Sequence, residues 1–277
     1  MKKGIRLVAS VDLIFLVLMS LSAYFNGLLG DLVYLSAFAL PFVFGWFGAK
    51  SLRKEREEER GLAETDYPRL GLSAEGVRDF LPLALPTVAV VFGVALLTSV
   101  ILNSLGATAP PVTEEAVWKM LLVHALVPAI LEEMLFRYLP LKILYPYSPR
   151  AALIFSSLFF ALIHLDLYKL PYAFIAGMLL CLADVITGSI LPSVIIHLLN
   201  NASSVLLMKY GQNPIFGTVF YSVLAAAVLA SLVFVALRFK RYREGVRSAF
   251  RGGIEYDVSA SLITVMCLLI SLLNILG

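Results

Sequence analysis

The stretch Ala129–Pro140, "AILEEMLFRYLP", sets two adjacent carboxylates and an arginine into an apolar run. Ionisable groups at membrane depth are costly, so Glu132, Glu133 and Arg137 each need a partner or a purpose. Helical geometry sorts them. Glu133 and Arg137 are four residues apart, stack on one face and can neutralise one another. Glu132 is five residues from Arg137, about 140° around an α-helix, so that arginine does not easily serve both acids. Glu132 is the spare carboxylate.

The chain has three histidines, His124, His164 and His197, in which to look for its partner. The prolines and serine of "YPYSPR" (145–150) mark a turn between two apolar helices. Glu132 lies sixteen residues before residue 148 and His164 sixteen after it. In an antiparallel pair rising about 1.5 Å per residue, the acid and the imidazole reach one depth. A further helix carries "SVIIHLLNNASS", where His197 and Asn201 are four apart and Ser193 lies one turn earlier, a polar stripe on an apolar helix. Asn200 is off that face and reads as an interhelical hydrogen-bonding group. His124 is eight residues from Glu132, about 12 Å along the same helix, and reads as a packing histidine. Asp166 reads as a loop or interface residue and Asp184 as a spare acid.

Glu, His, His and Asn without a nucleophilic side chain suit one kind of chemistry. A buried carboxylate and an imidazole can hold and deprotonate water. A second imidazole and a side-chain amide can donate to the oxyanion formed when that water attacks a carbonyl. The sum is peptide-bond hydrolysis with no covalent intermediate. The sequence has no HExxH zinc helix, no GxSG serine motif and no GxGD aspartate motif.

Such residues need elements to hold them at depth. Of 277 residues, 60% are hydrophobic and 15% charged, with mean hydropathy +0.89. A soluble domain of this size has too little interior for that apolar surface, which predicts an all-α polytopic membrane protein. Nine candidate spans run over about 7–28, 32–49, 80–104, 115–145, 151–165, 169–187, 189–209, 215–238 and 256–276, or eight if one is re-entrant. Residues 1–277 read as one integral membrane domain, with a polar linker over about 50–79. The mixed charges of that linker predict a solvated helical extension, and Ser73 leads the next helix. Trp46 and Trp118 read as interfacial anchors. Basic residues cluster around Lys2–Arg6, Lys50–Arg60, Arg137–Arg150 and Arg238–Arg251, on one side of alternating spans. That asymmetry predicts a multi-pass cell-membrane protein with a cytoplasmic N-terminus and an external C-terminus. A net charge of +3 spread over short loops argues against nucleic acid as a partner. Cys181 and Cys267 fall in apolar segments and read as reduced packing residues.

Three motifs also carry a resemblance. "EEMLFR" reads as EExxxR, "FALIH" (160–164) as FxxxH and "HLLNN" (197–201) as HxxxN, in order on successive apolar helices. Over about residues 115–210 the chain resembles the CPBP family of intramembrane proteases. That family includes type II CAAX prenyl endopeptidases and bacteriocin-processing or immunity proteins. The resemblance implies Glu132 as general base, His164 holding the attacking water, His197 and Asn201 as the oxyanion site, and Glu133 and Arg137 as supporting residues. It implies a protein or peptide partner cut near its C-terminus, with a prenylated CAAX protein as one option. No cofactor is expected; if a zinc ion is used, Glu132, His164 and His197 are its ligands. Two other readings stay open: a proton- or ion-coupled transporter using the same buried groups as a relay, and a non-catalytic immunity-type membrane protein.

Overall fold

The computed structural model describes residues 1–60, 67–104, 115–164, 170–255 and 257–276. Among them no strand forms, and the protein is an all-α polytopic membrane protein. The helices are α1 (Lys2–Ser22), α2 (Gly27–Arg60), α3 (Ala74–Ser104), α4 (Val117–Leu121), α5 (Val127–Glu133), α6 (Leu139–Leu144), α7 (Pro149–Leu162), α8 (Leu170–Thr187), α9 (Leu191–Tyr210), α10 (Pro214–Leu237), α11 (Phe239–Ala249) and α12 (Val258–Leu276). Two π-helical turns, Leu122–Leu126 and Met134–Tyr138, join α4 to α5 and α5 to α6. Helices α1, α2, α3, α8, α9 and α10 are long and apolar enough to cross a membrane, while α7 and α12 are shorter apolar helices. These eight and the segmented stretch from 117 to 144 lie on the nine apolar runs of the sequence. Helix α11 lies on none of them.

Local signals set the helix starts. Ser148 Oγ accepts from Ala151 N at 3.2 Å ahead of Pro149. Asn213 Oδ1 accepts from Ile215 N and Phe216 N ahead of Pro214. Ser73 Oγ accepts from Gly76 N at 3.0 Å, the helix start expected there. The expected polar extension is the last part of α2, where Arg53 and Glu57 pair at 2.9 Å one turn apart. Asp166 lies outside the described residues.

Chain contacts divide the molecule into two compact units, each built from separated segments. The first comprises Met1–Pro68, Met134–Met178 and Ser248–Gly277. Within it α1 packs against α2, α6, α7 and α12. Phe15 meets the rings of Phe38 and Phe136 edge-on at 5.0 and 4.9 Å. Gly177 lets the start of α8 close on α7, since a Cβ there would lie 3.0 Å from Ser157 Cα. Cys267 is buried beside Ala9, as a packing thiol should be.

The second unit comprises Arg69–Glu133 and Leu179–Arg247. Here α9 packs against α3, α4, α5, α10 and the first π turn, and α3 packs against α10. Helix α11 is fixed to the start of α3 by charge. The buried carboxylate of Asp79 pairs with Arg238 and accepts from Arg241 Nε at 2.9 Å, and Tyr242 Oη donates to the Asp79 carbonyl at 3.1 Å. That hydrogen bond to Asp79 raises the Arg241 pKa above its ordinary value.

Candidate functional site

Helix α9 is held in place before it can present anything. At the α8–α9 turn Gly188 has φ +71°, a conformation that a side chain would strain. Its amide donates to the Asp184 carbonyl at 2.8 Å. The Asp184 carboxylate, fully buried, accepts from the Ser193 amide at 3.0 Å and so caps the first turn of α9. Arg69 exchanges backbone hydrogen bonds with Gly188 and Ile190 across the same turn. Asp184, a spare acid by sequence, is a helix-positioning residue.

One turn past Ser193, His197 is buried among acids from α5. Its Nδ1 lies 2.9 Å from Glu133 Oε1, and its Nε2 lies 3.9 Å from Glu132 Oε2. A carboxylate on Nδ1 selects a proton there, because an ionised acid only accepts. Nε2 is left to face Glu132. The Glu133 side chain is fully buried and that of Glu132 is 18% exposed, so one acid belongs to the interior and the other opens toward an approach. Asn201 shares the His197 face, and its Oδ1 accepts from Asn200 Nδ2 at 3.3 Å. The Asn201 amide nitrogen is thereby turned away from Asn200.

The other predicted residues lie in the first unit. Arg137 is fully buried in the second π turn. Its Nη1 donates to Phe136 O, Ser156 O and Ser156 Oγ at 3.1, 3.1 and 2.9 Å, and its guanidinium lies 4.4 Å over the Phe160 ring. His164 follows α7, with Nδ1 at 2.9 Å from the Phe160 carbonyl and its ring edge-on to Phe160. A carbonyl only accepts, so this ring too carries its proton on Nδ1. The two imidazoles share one tautomer for two different reasons.

Some expectations change. The π turn over Met134–Tyr138 lies between Glu133 and Arg137, and its wider turn keeps residues four apart near one face while bringing those five apart closer together. Glu133 has His197 as a hydrogen-bond partner, and Arg137 has Phe136 and Ser156. His124, expected to be packed, is exposed in the first π turn. Ser156 was not singled out, and nothing in its spacing marks it as the arginine's partner. Among the described residues, no group of three or more His, Cys, Asp and Glu side chains is placed to hold a metal ion.

Two apolar hollows flank α9. One, of about 400 Å³, is lined by Leu85, Val88, Leu199, Phe216 and Phe220 among others. The second, of about 590 Å³, lies between Trp118, Leu122 and Leu126 on one side and Leu198 and Ala202 on the other. Leu198 and Ala202 directly follow His197 and Asn201, so this hollow adjoins the polar stripe.

By class this is a membrane-embedded helical protein with an imidazole held between two glutamates. Residues 114–203 match the family model described as Rce1-like, type II CAAX prenyl endopeptidase. The matched stretch is about a third of the chain and contains Glu132, Glu133, Arg137, His164, His197 and Asn201. Comparison with curated proteins and with solved structures gives no match.

Proposed function

We propose that the protein is an intramembrane endopeptidase that hydrolyses a peptide bond with water activated by Glu132. The observation that carries this reading is the placement of His197 between two acids. A separation of 3.9 Å is too long for a direct hydrogen bond. It is close to the span of two groups sharing one water, since two bonds of about 2.8 Å at a right angle reach about 4 Å. Glu132 takes a proton from that water as its oxygen attacks the carbonyl carbon. Asn201 Nδ2 donates to the oxygen that gains charge. Collapse breaks the C–N bond, and the Glu132 carboxylic acid returns its proton to the departing amine. This reading moves His197 from the oxyanion site to the water. The roles of His164 and Arg137 stay as the sequence resemblance implies them.

The family match supports a substrate of the CAAX type, and the apolar hollows beside α9 support one carrying a lipid or a strongly apolar side chain. The membrane orientation proposed is the one the basic loops imply, with the N-terminus cytoplasmic. The test is cleavage of a farnesylated CAAX peptide by purified protein, with and without chelator. Glu132→Gln is expected to abolish cleavage while leaving a folded, monodisperse protein. A fully active variant ends the proposal. Activity lost to chelator and restored by zinc would replace the carboxylate mechanism with a metal one.

A further inference from the structure

Helix α11 has three faces, and only one is spent on the protein. Tyr242 is buried, and Gly245 lies so close to α8 that a Cβ would meet Ile186 Cγ1 at 2.5 Å. Arg238 and Arg241 are committed to Asp79, with Glu75 3.8 Å from Arg241. At about 100° per residue, Lys240, Arg243 and Arg247 fall within an arc of roughly 60°. All three are exposed and form no ion pair among the described residues. Glu244 follows Arg243 in the sequence. Next to this arc runs an apolar stripe, Phe239 (61% exposed) and Val246 (38% exposed), following the exposed Leu237 at the end of α10.

The location of α11 decides what these faces meet. It follows α10, a helix of membrane-spanning length, after a single residue, and the apolar α12 begins nine residues after it ends. A helix so tethered lies at the membrane surface. An exposed apolar stripe bordered by cations fits the boundary where acyl chains give way to headgroups. We propose that α11 is an anionic-phospholipid binding site, in which Phe239 and Val246 dip into the acyl region while Lys240, Arg243 and Arg247 hold headgroup phosphates. Charge complementarity selects the lipid, and the Asp79 clamp selects the angle at which α11 presents its cations. If these residues served only to orient the chain during insertion, their charge would suffice and no lipid preference would follow. The proposal is independent of the peptidase reading.

The test is native mass spectrometry of the full chain in detergent, titrated with phosphatidylglycerol or phosphatidylcholine. The wild-type protein is expected to retain phosphatidylglycerol at least tenfold better. Each cation removed costs about fivefold, from about 1 kcal/mol per basic residue at a charged surface. The triple variant Lys240→Gln/Arg243→Gln/Arg247→Gln is expected to bind the two lipids alike. Arg243→Lys/Arg247→Lys is expected to keep the preference, as is Lys54→Gln on an exposed part of α2. Equal binding of both lipids by the wild type overturns the proposal, as would be found if α11 serves insertion alone or docks an acidic protein. Persistence of the preference in the triple variant overturns it as well.

Discussion

A histidine whose Nδ1 is engaged by a carboxylate keeps one nitrogen for chemistry, and at His197 that nitrogen faces Glu132. In the proposed mechanism Glu133 acts through the ring, as a positioning residue. Glu133→Gln removes the charge that selects the Nδ1 proton, and its amide can donate to a bare Nδ1 and move the proton to Nε2. Turnover of the farnesylated peptide is expected to fall by roughly 10²–10⁴-fold with thermal stability little changed, the scale seen when a buried acid fixing a catalytic histidine is amidated. A purely structural role would show the reverse, lost stability with turnover kept. At this scale much was legible. The shared face of His197 and Asn201 follows from four-residue spacing, whereas setting Glu132 apart from Arg137 relied on a 3.6-residue count that the π turn does not keep. His197 as a partner of Glu133 was not legible, because spacing along one helix does not say which face of another helix it meets.

Helices α8 and α9 stand or fall by the turn between them. Gly188→Ala puts a Cβ into left-handed backbone and is expected to cost about 1–2 kcal/mol. Asp184→Asn leaves a weaker acceptor for the Ser193 amide and should cost about 1 kcal/mol. Both are read as a lowered unfolding temperature in detergent, and unchanged temperatures would show that this turn does not hold α9. The sequence announced the long apolar helices because twenty apolar residues in a row have few alternatives in a bilayer. It concealed α11. Phe239, Tyr242, Val246 and Ala249 recur at helical spacing, but the arginines among them read first as a topological charge cluster. Ser73, Ser148 and Asn213 show the opposite case, where one capping side chain writes the helix start into the sequence.

At the scale of the molecule, the two units are not consecutive lengths of chain. The first draws on residues before 69, between 134 and 178, and after 247. Helix α1 buries Val8, Ala9, Asp12, Phe15 and Leu16, and α12 is one of the helices covering it. Ser271 Oγ reaches the Leu162 carbonyl at 3.2 Å, and Arg6 meets Asp257 at 3.7 Å. A chain stopped at residue 247 is expected to lose protease resistance across α1, α6 and α7. Limited proteolysis in detergent with peptide mapping reads this, and an unchanged digestion pattern would contradict it. During synthesis, helix α1 enters the bilayer about 250 residues ahead of α12. Over that interval its buried acid, Asp12, must stay in lipid or against provisional neighbours, so maturation waits on α12.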